Sequence, residues 1–329
     1  MRKVFGRNPR FPRFPPFIKV EIVEGKLPKR FDALVARVRA VDDANKVDDT
    51  AKKLRHDETL GSSEVVTPVS LKTVLQSVVS VCNNFGFDFL RLQLSGNDVR
   101  FWAADGTGKP GQPPSVFMEA KAIVKETDVV EIAISELDEL LSLLKDDTLP
   151  LGFEFGDRTV HKKSDPEDDE SETISVTESV VKHLVFGKCR HRVMMPSAAP
   201  IAKLKKEPNW TTVCKVDKSS LDHFIKHATR LKRSAKRFNG HFEGDRLVFR
   251  IGEADASNVE VPIGVCLRSD AIGNHYWKVD AFLHLLKSAG SSKSMTIMIS
   301  EEIGVIRADF GIECGGDAEI LYQVIMTKA

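Results

Sequence analysis

His223, Lys226, Arg230 and Arg233 fall three or four residues apart, with His227, Lys232 and Lys236 close by. Helical periodicity places side chains so spaced on one face. The opposite face is an apolar stripe of Leu221, Phe224, Ile225, Ala228 and Leu231. A row of cations along a helix can track phosphates, giving binding that ignores base sequence and weakens with salt. Base-edge contacts would instead hold a protein at one site. A solvated basic face explains the same residues without any nucleic acid. Lys72 is the only cation on an earlier helical segment that is otherwise polar through Gln76, Ser80 and Asn83. A segment after Ser135 is acidic, with Glu136, Asp138 and Glu139, whereas Lys278, His284 and Lys287 flank or occupy the last helix. The candidate DNA-binding set is therefore Lys72, His223, Lys226, His227, Arg230, Arg233 and Lys287, on helices of unequal charge.

Other patterns carry less chemistry. Met194, Met195, Ile201 and Leu204 lie among prolines and, with Tyr322 and Ile325, form a candidate docking groove for partner peptides. Clustered apolar residues in a loop mark interaction sites, although packing beneath the loop accounts for them too. Gly106 to Gly111 matches GxGxxG, but Pro110, Pro113 and Pro114 forbid the helix that a phosphate-binding turn must open. His183, Cys189, His191 and Cys214 could suggest zinc, yet their spacing fits no common structural site and core packing is favoured. Asn209-Trp210-Thr211 is a glycosylation sequon, which matters only in a secreted chain. No GxSxG, HExxH or Walker A motif occurs, and no paired carboxylates stand out. The expectation is a protein without catalytic residues, metal or cofactor.

The elements that must position these residues come from a chain of 329 residues, enough for two cores. Forty-eight Lys and Arg nearly cancel 47 Asp and Glu, so the distribution of charge matters more than its total. Five scattered cysteines without CxxC spacing point to a reducing compartment. No apolar run is long enough to span a bilayer. Residues 1–30 mix Arg, Phe and Pro and cannot bury enough apolar surface to fold alone. A disordered arm is the favoured reading there, with an acid-poor transit peptide as the other.

From Glu64 the pattern becomes regular. A strand at Val65–Val69 precedes a helix with Leu71, Val74, Leu75, Val78 and Cys82, followed by strands at Phe89–Leu94, Val99–Ala104, Phe117–Val124 and Val129–Ile134. Ser135 and Asp138 suggest a capping box for a second helix with Leu137, Leu140, Leu141 and Leu144. Strands follow at Leu151–Phe155 and Arg158–Lys162, then an acidic run, then Thr173–Thr177 and Val180–Phe186. The same order recurs after a proline-containing connector: strand Thr211–Val216, a helix, strands Arg237–Glu243, Arg246–Ile251 and Val259–Arg268, a helix with Phe282, Leu283 and Leu286, and strands Met295–Ser300, Val305–Phe310 and Ile320–Met326. Such duplication predicts an α+β fold of two tandem modules, 64–195 and 210–329, joined by a connector at 196–209. An arm and linker occupies 1–63, and the acidic insertion lies at 164–172.

The closing stretch resembles the DNA sliding clamps, both the bacteriophage type and proliferating cell nuclear antigen. The residues that carry the resemblance are Trp277-Lys278-Val279-Asp280-Ala281-Phe282-Leu283, Ser294 to Ile299, Gly304 to Phe310 and Ile320 to Val324. Met195-Pro196-Ser197-Ala198-Ala199-Pro200 is similar to the connector of the phage clamps. The likeness spans about residues 64–329 and is one of pattern. It implies two tandem clamp domains, with antiparallel sheets outside and two helices per domain inside. It further implies a head-to-tail homotrimeric ring around double-stranded DNA, a DNA polymerase docked beside the connector, and a clamp-loader ATPase that opens the ring. The implied location is intracellular, at a viral or phage replisome, or nuclear in a eukaryote. A monomeric clamp-like DNA-binding protein and a clamp-fold platform for transcription or checkpoint signalling are the alternatives.

Overall fold

The computed structural model describes residues 68–329 apart from 106–113, 164–172, 200, 202–203, 205–207, 217, 253–256, 269–274 and 316–317. The N-terminal arm, most of the expected first strand, the GxGxxG loop and the acidic insertion lie outside the described residues.

Helix α1 (Leu71–Phe85) starts where the Ser70 side chain accepts from the Thr73 amide, and it ends at Gly86, whose φ of 69° places it in the left-handed region. Its apolar stripe, from Leu71 to Cys82, is buried as the spacing predicts. Strands β1 (Leu90–Ser95), β2 (Asp98–Ala104), β3 (Val116–Ile123) and β4 (Val129–Ile134) follow. Helix α2 (Leu137–Leu144) lacks the expected capping box. Glu136 takes the cap position at a φ of 54°, without a side-chain cap bond, and the Asp138 carboxylate accepts instead from the Asn83 amide on α1 at 2.8 Å.

The paired segments expected on either side of the acidic run are single long strands, β5 (Leu151–Lys163) and β6 (Thr173–Phe186). A register shift between Glu154 and Phe155 is what breaks the alternation in β5. Strand β7 (Cys189–Arg192) is too short to show a period and was not expected. The second half then runs β8 (Thr212–Val216), α3 (Lys218–Leu231), β9 (Arg237–Glu243), β10 (Arg246–Ile251), β11 (Val259–Arg268), β12 (Trp277–Lys278), α4 (Val279–Ser288), β13 (Met295–Ser300), β14 (Val305–Glu313) and β15 (Glu319–Met326). Leaving β8 aside, helix, four strands, helix, three strands occurs twice.

The fold is α+β. Twelve strands form one antiparallel sheet in the order β12-β9-β10-β11-β8-β13-β14-β15-β3-β2-β1-β4, and β5-β6-β7 form a second sheet. The two halves meet where β15 pairs with β3, from Leu321 opposite Lys121 to Met326 opposite Val116. Within the second half, β8 wedges between β11 and β13. Gly264 makes this possible, since a Cβ there would stand 1.9 Å from the Lys215 carbonyl oxygen.

The helices pack on the sheet through one continuous core. In the second half that core is aromatic: Phe224, Phe238, Phe249, Phe282 and Trp277 lie with neighbouring ring centroids 4.9–6.0 Å apart. The buried Trp277 indole donates to the Gly304 carbonyl at 3.1 Å. Phe282 touches three of these rings from α4. Phe282→Ala is therefore expected to cost about 3–5 kcal/mol in denaturant unfolding; a loss below about 1 kcal/mol would contradict this packing.

Candidate nucleic-acid interface

The four helices form a single layer in the order α2, α1, α4, α3. Asn83 joins α1 to α2 through Asp138. The Asn84 amide donates to the Ser288 hydroxyl at 3.3 Å and links α1 to α4. Lys232, just beyond α3, lies 3.3 Å from Asp280 on α4, while Phe224 meets Phe282 edge to face beneath. The sheet buries one side of every helix and leaves the other free for a ligand.

Helix α3 positions its cations because its apolar face is narrow. Only Phe224 and Ala228 are fully buried, so His223, Lys226, Arg230 and Arg233 are exposed and His227 is half-buried. Lys287 is exposed on the last turn of α4. The structure thus brings five of the seven candidate DNA contacts onto two adjacent helices, with Arg233 in the turn just past α3. Burial holds the neighbouring His284 imidazole below its ordinary pKa, and Lys232 and Lys287 add to that effect while Asp280 opposes it.

Lys72 departs from the expectation. Its ammonium donates to the carbonyl oxygens of Asp146 at 2.5 Å and Leu149 at 2.8 Å. It is a clamp on the turn after α2, where the helix leaves carbonyls unsatisfied. Helix α2 presents Asp138 and Glu139 on its exposed side, with Asp146 and Asp147 just beyond its end. Hydrogen bonds from Thr148 hold the Asp146 carboxyl below its ordinary pKa. The charge imbalance read from the sequence is real: the basic end of the layer is α3 and the acidic end is α2.

The candidate docking groove is also rearranged. Tyr322 is 1% exposed, its ring stacks on Phe310 with centroids 5.1 Å apart, and its hydroxyl bonds to Ser77 on α1 at 2.9 Å. The alternation of β15 sends it inward with Ile320, Val324 and Met326, so it cannot line a surface groove. Ile325 points to the opposite side of β15, opposite Arg307 and Phe117 in register, and is 8% exposed. Met194 is half-buried and exchanges both backbone hydrogen bonds with Ala133. Ile201 and Leu204 are half-buried, and Met195 is exposed. Trp210, at the end of the connector, lies over the Arg307 guanidinium at 5.7 Å, and Arg307 in turn grips Asp309 with two bonds of 2.7 Å.

The four residues that could suggest zinc do not converge. His183 bonds to Glu154 at 2.8 Å and His191 to the Ser135 carbonyl at 3.0 Å, whereas Cys214 lies opposite Cys266 between β8 and β11. Among the described residues, His241, Glu243 and Glu260 form the one group with metal-ligand spacing. It was not expected, because Glu260 comes from β11 whereas His241 and Glu243 lie on β9. Arg250 already occupies Glu260 at 2.6 Å.

This arrangement, two like modules with helices layered on a joint antiparallel sheet, is the fold of the DNA sliding clamps. The resemblance carried by the closing strands holds at that level. A structure of A. fulgidus PCNA with the C-terminal region of FEN-1 bound aligns over 79% of this chain and 96% of its own, with a TM-score of 0.52 and 14% identity. PCNA of Entamoeba histolytica aligns over 78% and 96% with a TM-score of 0.50 and 10% identity. PCNA of Thermococcus kodakaraensis aligns over 79% and 98% with a TM-score of 0.50 and 14% identity. No family model and no curated protein matches the sequence. Identities this low establish a shared architecture and leave function to be argued from the residues. No described helix is long and apolar enough to cross a membrane.

Placing Tyr322 in the core leads to a direct check. Tyr322→Phe removes the bond to Ser77 and should lower stability by about 0.5–1.5 kcal/mol. A change in partner-peptide affinity without any change in unfolding would return Tyr322 to the surface.

Proposed function

We propose that this protein is a DNA polymerase processivity factor, a sliding clamp that closes head to tail as a homotrimer around duplex DNA and catalyses no reaction. The modules are taken as 64–195 and 210–329, with 196–209 connecting them. The observation that carries this reading is the internal junction between the halves. Strand β15 ends the second module and pairs with β3, the third strand after the first helix of the other module. The same relation leaves two counterparts without a mate of this kind among the described residues. Among the described residues, strand β7 ends the first module with β6 as its one partner strand, and Met194 just beyond it bridges to Ala133 of β4. Strand β11 is covered by β8 from Gly264 onward, which leaves one edge of Val259–Ile263 without a partner strand among the described residues. Unpaired edges of this kind favour association. Repeating the β15–β3 junction between copies pairs β7 with β11, and a head-to-tail contact that closes gives a ring. Pro262 on β11 is tolerated because it stands on that edge beside a register shift.

The helix layer then faces the enclosed duplex, and Lys226, Arg233 and Lys287 meet phosphates without reading bases. Retention comes from topology, so each contact can stay weak enough to slide. A DNA polymerase would dock on the outer surface near the exposed Met195, and a clamp-loader ATPase would open the ring. The setting is the intracellular replication site, of phage or viral type as the connector suggests.

Native mass measurement should give three copies. The protein should remain on nicked circular DNA and be lost from linear DNA of the same length. A monomer held equally by both forms would favour the alternative, a clamp-like protein that grips DNA by charge alone. Unchanged replication activity after replacing Lys226 and Arg233 by Ala would favour a protein-interaction platform. In the clamp, Lys226→Ala should weaken binding to all duplex sequences alike and reduce the salt slope by about 1.

A further inference from the structure

The internal junction has a helix layer as well as a strand layer, and the helix contact is uncharged. Asn84 bonds to Ser288, and the Phe85 ring tilts against His284 with centroids 6.2 Å apart. Covered by this contact, Val81 of α1 is 3% exposed, and Leu285 and Ser288 of α4 are 0% and 7% exposed.

The duplication shows which residues occupy these places on the other two helices. Buried Leu137, Leu140 and Leu144 of α2 have the same spacing as buried Val279, Phe282 and Leu286 of α4. That match sets Glu139, Ser142 and Asp146 where α4 and its end carry Ala281, His284 and Ser288. In the same way Val78 and Cys82 of α1 correspond to Phe224 and Ala228 of α3, which sets His227 and Arg230 where α1 carries Val81 and Asn84. The counterparts differ in exposure in a consistent direction. Glu139, Ser142, Asp146 and Arg230 are all exposed, whereas Ala281, His284, Ser288 and Asn84 are half-buried or buried. The flanks are built alike, and among the described residues one pair of them, on α1 and α4, has a neighbour.

We infer that the acidic flank of α2 and the basic flank of α3 are two sides of one seam between copies of this chain, with Arg230 of one copy facing Glu139 and Asp146 of the next. This rests on the head-to-tail closure proposed above and deepens it. Arg230 is thereby assigned to assembly, although the sequence put it among the DNA contacts. Lys226 stays with the open face, because its counterpart Ser80 remains exposed even though the α1 flank is covered. The seam also sets specificity. Two α2 flanks or two α3 flanks would bring like charges together, so only the head-to-tail pairing is permitted. Junctions within a chain are neutral and those between copies are charged, so salt loosens the ring only where it must open.

Sedimentation without DNA tests the seam. Raising salt from about 0.05 M to about 0.5 M should raise the dissociation concentration of the wild-type assembly by at least about tenfold. Arg230→Glu and Glu139→Arg should each dissociate at low salt, and the double variant R230E/E139R should regain most of the assembly. The exposed positions of both residues keep the monomer folded, which circular dichroism would verify. Assembly of Arg230→Glu at wild-type concentrations, or a double variant no better than either single one, would overturn the seam while leaving the ring intact. A wild-type protein that is monomeric at every salt would remove the ring and the seam together.

Discussion

The constraint on which the rest of this structure depends is that a strand edge must find a partner. Backbone donors and acceptors along an edge keep their hydrogen bonds to water only while they stay exposed. Within the chain the problem is solved once, by β15 against β3, which merges two modules into a twelve-stranded sheet. That junction fixes the order of the helices above it, because α1 and α4 must then lie side by side. Among the described residues it also leaves β7 and half of one β11 edge, the counterparts of β15 and β3, without that kind of junction.

Charge follows from the same geometry. Where the two modules meet inside the chain, the helix contact is small and neutral, between Asn84 and Ser288. At the two ends of the helix layer charges are concentrated and opposite in sign, with α2 acidic and α3 basic. A single chain therefore has a polarity that only a head-to-tail arrangement neutralises. Such an arrangement also resolves what made the basic helix hard to interpret, since a phosphate-tracking face and an assembly flank can occupy neighbouring sides of one helix. Weak, sequence-independent contacts on the first side are compatible with sliding, and the second side supplies directionality.

Stability and function occupy different layers. The aromatic cluster around Phe224 and Phe282 lies between α3, α4 and the sheet, so the helix that carries most of the candidate cations is anchored by two large buried rings. Lys72 is a positioning residue for the turn after α2, and that turn holds Asp146 beside the acidic flank. Tyr322 ties β15 to α1 from within, across the module junction. None of these three reaches a ligand, yet each holds a surface that could.

The duplicated order of elements, the helical stripes and most strand limits were fixed by the sequence itself, because burial imposes period 3.6 on helices and period 2 on strands. Strands β4, β9, β10, β11 and β13 run between the limits read from the sequence. The basic face of α3 was legible for the same reason, whereas the expected place of Tyr322 in a surface groove was not met, because the core behind β15 decides which of its faces is inward. Only the tertiary structure decided which edges pair, because hydrogen bonds between distant strands leave no local signature. Strand β7, with four residues, has no period to read, and the register shift in β5 hid a continuous strand. The fate of Lys72 depended on carbonyls some seventy-five residues away. Whether a charge on a helix faces DNA, a neighbour or its own backbone is set by what packs beside that helix, and spacing along one segment carries no information about that.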